Sequence, residues 1–196
     1  MKDTIKRLGL ETGGGKSEKK MSINVAPADA EWIRAALDRH ESELTLYAQR
    51  LTGNREQARD VVQETFLRLC TQAPAEIQTH LAEWLFSVCR NLSMDARRKE
   101  RHMVALAEIN LQTRKSAEAA PTPVEQSERN EDSARIFELL NTLPDNQQEV
   151  IRLKFQHGLS YREISTVTKL SVSNVGFLIH TGLKTIRAGV ANEARA

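Results

Sequence analysis

Apolar residues recur every three or four positions along two separate stretches of this sequence, residues 33–92 and 136–186. That spacing is the period of an amphipathic α-helix, whereas a half-buried strand would alternate apolar and polar residues. Residues 103–132, between the two stretches, are rich in Ala, Glu, Ser and Thr, contain a Pro-Thr-Pro sequence and have no aromatic residue. Such a composition is typical of a linker. The sequence therefore predicts an all-α protein made of two small helical domains joined by a flexible linker.

The length of the chain is compatible with two domains. With 196 residues, 40% of them hydrophobic, the chain can bury one ordinary core or two small ones. The predicted domains cover residues 27–102 and 133–192, with the linker at 103–132. Residues 1–26 carry mixed charge and a run of three glycines, so we expect a disordered tail there.

Composition also limits the classes of function. Charged residues make up 28% of the chain but the net charge is only +2, so a nucleic-acid surface would require local clusters of basic residues. Cys70 and Cys89 each lie on what looks like the apolar face of a helix, which predicts buried, reduced thiols, and neither stands in a metal-binding spacing. The sequence has no apolar run of about 18 residues and no secretory signal, and its histidines are scattered along the chain. We expect a cytoplasmic protein without membrane insertion, cofactor or enzymatic activity.

Three helices are predicted in the first domain. Residues 28–51 form one amphipathic helix, or two helices with a break near His40, and Gly53 lies in the turn that ends this segment. Residues 55–71 form a second helix. A third helix covers residues 81–101 and passes from an apolar series into a basic one.

The second domain contains a candidate helix-turn-helix. Ser160 and Glu163 have the spacing of a capping box, which starts a short helix. A tight turn at residues 168–170 follows, and either Ser171 or Ser173 caps a longer last helix. This order is the geometry that presents a recognition helix to the major groove of DNA. An ordinary helical hairpin would give the same pattern.

Two groups of motifs resemble one protein family. Residues 143–153 (LPDNQQEVIRL) and 158–165 (GLSYREIS) are similar to domain 4 of extracytoplasmic-function (ECF) sigma factors, which belong to the sigma-70 family. Residues 47–54 (YAQRLTGN) and 60–66 (DVVQETF) resemble domain 2 of the same family. The motifs occur in the family's order, and the resemblance covers roughly residues 30–190. It implies an RNA polymerase sigma factor that binds core polymerase and directs promoter recognition, melting and transcription initiation, with an anti-sigma protein as a further partner.

In this family, the helix that carries the Asp-x-x-Gln-Glu motif docks on a coiled coil of the large subunit of core RNA polymerase. The resemblance therefore assigns polymerase binding to Asp60, Gln63 and Glu64. Residues three and four positions apart share one helical face, and an acidic and amide patch can form charge-assisted hydrogen bonds with a basic partner. The alternative is a solvated polar face behind the core residues of this helix.

The resemblance assigns contact with the opened promoter strand to the third helix. Its candidate DNA-binding residues are Arg90, Arg97, Arg98, Lys99 and Arg101. Basic side chains neutralise phosphates, and the preceding Trp84 and Phe86 could stack on unpaired bases. A core position for Trp84 and a solvated helix end for the basic residues are the alternatives.

The last helix departs from the family pattern. Many relatives carry several basic residues along it, whereas residues 176–182 (GFLIHTG) are mainly apolar and contain two glycines that weaken a helix. Base reading would then fall to the helix start and phosphate contact to later residues. The candidate DNA-binding residues here are Ser171, Ser173, Asn174, His180, Lys184 and Arg187. Phe177 could contact thymine methyl groups or a protein partner, but we expect it to be buried between the helices.

Two other functions are compatible with parts of the sequence. A sigma-like decoy would sequester an anti-sigma protein without binding promoters, and the weakly basic last helix favours this function slightly. A plain helix-turn-helix regulator with a helical dimerisation domain would read a symmetric operator. The regulator leaves the motif at residues 60–66 unexplained, whereas a sigma factor accounts for both groups of motifs.

Overall fold

A computed structural model of the chain describes residues 27–108 and 131–193, and every regular element in these two segments is helical. The helices are α1 (Pro27–Thr52), α2 (Arg55–Leu69), α3 (Pro74–Ile77), α4 (Leu81–Glu108), α5 (Glu131–Asn141), α6 (Asp145–Phe155), α7 (Tyr161–Thr168) and α8 (Val172–Glu193). A 3-10 turn, Gln78–His80, joins α3 to α4. Helices α1–α4 form the first domain and α5–α8 the second. The predicted all-α fold with two helical domains is confirmed.

The core of the first domain lies where α1, α2 and α4 pack against one another. Leu44 of α1, Phe66 of α2 and Leu85 of α4 are each 0% exposed. Helix α1 is continuous through His40, so the alternative of a break there is wrong. The His40 ring is buried near the carboxylate of Glu43, and this burial lowers the pKa of His40. His40 therefore lies on the buried face of one continuous helix.

Local signals fix where α2 begins. Gly53 adopts φ +73°, a left-handed conformation that glycine tolerates at a helix end. Asn54 then caps α2, because its Oδ1 atom accepts hydrogen bonds from the amides of Glu56 and Gln57 at 2.8 and 3.2 Å. Helix α2, which carries the 60–66 motif, therefore begins at Arg55.

The second domain is built around α8, which packs against α5, α6 and α7. The capping box is present: the Ser160 amide donates to Glu163 Oε2 at 2.6 Å, and the Glu163 amide donates to Ser160 Oγ at 3.3 Å. Lys169 adopts φ +63° and ends α7. The Asn174 amide donates to Ser171 Oγ at 3.2 Å, so Ser171 is the residue that caps α8. The predicted short helix, tight turn and longer helix are confirmed.

The glycines of α8 have different surroundings. A Cβ atom at Gly182 would lie 2.6 Å from Cδ1 of Ile151 and 3.2 Å from Cδ1 of Leu143. At Gly176 the nearest atom to such a Cβ would be Cε2 of Tyr161, at an ordinary contact distance of 3.6 Å. Gly182 therefore allows α8 to lie close to α6, whereas packing inside the domain does not require Gly176.

Helix α4 is longer than predicted. It continues to Glu108, past the predicted end at residue 101, because residues 103–108 (MVALAE) include strong helix formers. The end of α4 and the start of α5 at Glu131 therefore lie within the segment 103–132 predicted to be a linker. The predicted tail and residues 109–130 lie outside the described residues. In the described segments, no helix combines the length and apolarity needed to cross a lipid bilayer.

Candidate functional site

The Asp-x-x-Gln-Glu motif lies on the face of α2 that points away from the core. Asp60 is exposed and Gln63 and Glu64 are partly exposed, whereas Val61 and Val62 between them are buried. With 3.6 residues per turn, positions 60, 63 and 64 share one face of the helix. The structure therefore brings the three candidate polymerase-binding residues together on one surface, which we call the Asp60 face.

Glu64 has an ionic partner in its own helix. The Nε atom of Arg68 lies 3.0 Å from Oε1 of Glu64, and the side chains of these residues are 50% and 45% exposed. An exposed pair of this kind contributes about 0.3–0.5 kcal/mol, so a binding partner can displace it at small cost. Sequence reasoning missed Arg68, although the Glu-x-x-x-Arg spacing is a recognisable signal for such a pair.

The basic surface of the first domain lies on the second half of α4. Its exposed members are Arg97, Arg98, Lys99 and Arg101. Arg98 forms an ion pair with Asp95 one turn earlier, and both side chains remain more than half exposed. Arg90 differs from this group because it is partly buried and lies almost two turns before Arg97. Four of the five candidate residues thus form one exposed cluster, which we call the α4 basic cluster.

The two aromatic residues of α4 have different positions. Phe86 is 1% exposed, and its ring packs edge-to-face on Tyr47 with a centroid distance of 5.2 Å and an interplanar angle of 69°. The prediction that Phe86 could stack on bases is therefore wrong, because its ring belongs to the core. Trp84 is partly exposed, and base stacking by Trp84 stays a prediction.

The polar residues of α8 form a stripe along its exposed side. Ser173, His180, Lys184 and Arg187 are all exposed, at spacings of seven, four and three residues that keep them on one helical face. The opposite face is buried against the domain, and its members are Val175, Leu178, Ile179, Gly182 and Ile186. Ser171 and Asn174 are also exposed, at the helix start. The structure thus brings the six candidate residues to one accessible side and end of α8.

Phe177 belongs to this stripe. It lies four residues after Ser173 and three before His180, and it is 65% exposed. The prediction that Phe177 is buried between the helices is wrong, because its position on the helix is opposite to the buried residues Val175 and Ile179. The α8 stripe is therefore defined as Ser173, Phe177, His180, Lys184 and Arg187.

Two sequence-family models match this chain. The model described as "Sigma-70 region 2" matches residues 36–103 in the first domain, and the model described as "Sigma-70, region 4" matches residues 133–186 in the second. Together the matched residues include the Asp60 face, the α4 basic cluster and every member of the α8 stripe except Arg187. Both matches are to models of the sigma-70 family.

Relatives along most of the sequence agree with this assignment. The chain is 34% identical over 170 residues to the ECF RNA polymerase sigma factor SigL of Mycobacterium tuberculosis, which covers 83% of this chain and 90% of the relative. It is also 28% identical over 185 residues to the ECF RNA polymerase sigma factor SigW of Bacillus subtilis, covering 86% and 94%. The chain belongs to the ECF group of the sigma-70 family. It is thus a sigma factor that directs transcription initiation, and neither the decoy nor the plain regulator is favoured.

The thiols of this sigma factor have different environments. Both cysteines are free, but only Cys89 is buried, so the prediction of a buried thiol is wrong for Cys70, which is partly exposed. Burial raises the pKa of the Cys89 thiol to about 12, because desolvation disfavours the thiolate. No three His, Cys, Asp or Glu side chains within the described segments are arranged to hold a metal ion.

Tyr161 is the first residue of α7, and it lies near Lys154 of α6 and Gly176 of α8. Sequence reasoning did not assign it to the surface. Its side chain is 39% exposed, Nζ of Lys154 lies 5.7 Å from its ring centroid, and the ring lies beside Gly176. A cation at this distance over a tyrosine ring is favourable. Tyr161 thus borders the first turns of α8.

Proposed function

We propose that this sigma factor uses three surfaces in three successive steps. The Asp60 face binds core RNA polymerase, the α8 stripe reads the upstream promoter element, and the α4 basic cluster holds the opened strand near the start site. The observation that carries the proposal is that the Asp60 face, the α4 basic cluster and the α8 stripe are each accessible on the surface of their own domain.

Polymerase binding by the Asp60 face is supported by exposure and charge. The Asp60 carboxylate is exposed and can accept charge-assisted hydrogen bonds from a basic partner. Glu64 can join the interface after its exposed pair with Arg68 opens. Asp60 is therefore the residue whose substitution tests this surface with the least disturbance inside α2.

Strand capture by the α4 basic cluster is supported by the density of its cations. Four exposed cations within residues 97–101 raise the local positive charge in a chain whose net charge is only +2. Such a cluster attracts the phosphates of DNA without reading its sequence. Arg90 is partly buried, so we assign it a weaker share of this binding.

Upstream-element reading by α8 is supported by the order of side chains along the stripe. Ser171 uses its Oγ atom to cap the helix, which orients the first turn and leaves the Ser171 hydroxyl hydrogen free to donate. Ser173 and Asn174 follow directly, and an asparagine amide can address an adenine edge in the major groove. Lys184 and Arg187, about three and nearly four turns later, are suited to phosphate contacts.

The proposal extends to partners. Each DNA-reading surface is small, so the free protein should bind promoter duplex weakly. Polymerase should hold both surfaces at the spacing of the two promoter elements and so raise the effective concentration of each surface at its element. We also propose an anti-sigma protein, as ECF sigma factors typically have; covering the Asp60 face would be enough to block polymerase binding. The protein would then act as an initiation factor without catalysing a reaction itself.

The proposal is tested by comparing variants at each step of initiation. Holoenzyme is assembled with wild-type protein or with the Arg97→Ala/Arg98→Ala double variant, and permanganate reactivity of unpaired thymines reports promoter melting. We expect the double variant to bind core polymerase normally and to melt the promoter poorly. The matched control is Arg34→Ala/Arg39→Ala, which removes two exposed arginines from α1 and should leave melting unchanged. Normal melting by the Arg97→Ala/Arg98→Ala variant would refute the role of the α4 basic cluster.

A further inference from the structure

Phe177 is an apolar residue in the middle of an otherwise polar surface. Its side chain is 65% exposed, more than that of Phe155, Tyr161 or Val172, the other exposed large apolar residues near the helix-turn-helix. Within the second domain as described, Phe177 alone among these lies on the stripe with His180, Lys184 and Arg187. Its apolar surface therefore faces the partner that the polar members of the stripe bind.

The charge of α8 indicates what that partner is. The helix carries Lys184 and Arg187 on the stripe, and its only acidic residue is Glu193 at its very end. A positively charged stripe is complementary to the phosphates of DNA. This complementarity favours nucleic acid over an apolar protein surface as the occupant of the stripe.

Phe177 lies near the N-terminal end of α8, which is the part of a recognition helix that contacts base edges. With a rise of about 1.5 Å per residue, Phe177 lies about 6 Å after Ser173, and Lys184 lies about 10 Å further along. A recognition helix contacts base edges with its N-terminal residues. Phe177, one turn after Ser173, is thus still within the part of the helix that meets bases.

The chemistry of phenylalanine restricts what it can read there. The side chain has no hydrogen-bonding group, and the apolar group that bases present in the major groove is the C5-methyl of thymine. We infer that Phe177 is a specificity-determining residue that recognises a thymine in the upstream promoter element through this methyl group. The inference rests on the proposed role of α8 in reading that element.

Replacement of thymine by deoxyuridine tests this contact, because it removes only the methyl group. The upstream element is first defined from transcript starts, and each A·T pair in it is then synthesised with deoxyuridine in place of thymidine. Holoenzyme affinity for these duplexes is measured by fluorescence anisotropy. We expect one or two substitutions to weaken wild-type binding about fourfold each, the factor that burial of one methyl-sized group provides.

The protein variants complete the cycle. Phe177→Ala should bind the thymine duplex about as weakly as wild type binds the deoxyuridine duplex, and should no longer distinguish the two. Phe177→Leu, which keeps an apolar side chain, should retain part of the discrimination. The matched control is Phe155→Ala, which removes a ring that is 61% exposed at the end of α6, and it should discriminate as wild type does.

Several outcomes would overturn the inference. Sequence-specific binding by wild type that ignores every deoxyuridine, or discrimination that survives in Phe177→Ala, would remove the methyl contact while leaving upstream-element reading intact. An upstream element without an A·T pair would also refute the methyl contact. So would a Phe177→Ala variant that binds promoter DNA as wild type does but no longer binds a protein partner. A wild-type holoenzyme that binds no promoter specifically would instead refute the proposed function, and the inference with it.

Discussion

Substitution of two glycines in the same helix tests whether close packing positions α8. Gly182→Ala and Gly176→Ala each add one methyl group to α8 and replace glycine with a better helix former. The helix-propensity gain is therefore the same for both, about 1 kcal/mol in favour of the folded state. Any difference between the two variants comes from what the new Cβ atom meets.

The distances in the structure predict that difference. At Gly182 the Cβ would lie 2.6 Å from Ile151 and 3.2 Å from Leu143. Both of these side chains are 5% exposed, so they have little room to move. Such overpacking costs about 1–3 kcal/mol. At Gly176 the Cβ would make only an ordinary contact of 3.6 Å with Tyr161. We expect the free energy of unfolding to rise by about 1 kcal/mol in Gly176→Ala, and to be lower in Gly182→Ala than in Gly176→Ala by about 1–3 kcal/mol.

Urea unfolding of the full chain measures this difference. Both tryptophans, Trp32 and Trp84, lie in the first domain, so tryptophan fluorescence reports that domain alone. Circular dichroism follows the helices of both domains, so the unfolding transition that appears in circular dichroism but not in tryptophan fluorescence reports the second domain, and an unchanged tryptophan transition serves as an internal control. Equal stabilisation of the second domain by the two alanines would refute the conclusion that Gly182 is needed for the approach of α8 to α6.

Other substitutions test the surfaces and the buried thiol. Asp60→Lys should weaken core polymerase binding about tenfold or more in a fluorescence titration, since a charge-assisted hydrogen bond contributes about 1.5–3 kcal/mol; Asp38→Lys, at an exposed position on α1, should not, and equal losses would point to a general charge effect. Alanine at Lys184 and Arg187 should reduce the slope of log affinity against log salt for promoter binding by about 1 per residue, and an unchanged slope would exclude phosphate contacts. Burial raises the pKa of Cys89 from 9.0 to about 12, so the unfolded chain ionises first and the first domain should lose stability as pH rises from 9 towards 12. In urea melts, the Cys89→Ala variant should lose part of that dependence, and an identical dependence would contradict the assignment.

Features set by neighbouring residues could be predicted from the sequence. The start of α7 follows from Ser160 and Glu163, whose side chains and backbone amides satisfy each other within four residues. The turn before α2 likewise depends on Gly53 and Asn54. The outward position of Asp60 follows from the helical period once the buried residues of α2 are recognised.

Features set by distant contacts could not be predicted in the same way. Phe86 has the chemistry of a base-stacking residue, but its contact with Tyr47, on another helix, places it in the core. The need for Gly182 depends on Ile151 across the domain, whereas the sequence reveals only its cost to the helix. Phe177 is a different case: its spacing from Ser173 already places it on the exposed face, and its apolar character led to the wrong expectation of burial.

Run-off transcription tests the central claim most directly. Purified core polymerase of the source organism transcribes a library of its genomic fragments with and without this protein, and the transcript starts are sequenced. We expect new starts that depend on the protein and share two upstream elements at a fixed spacing, and Asp60→Lys should abolish or strongly reduce them. The absence of any protein-dependent start, together with no binding to core polymerase, would contradict the account.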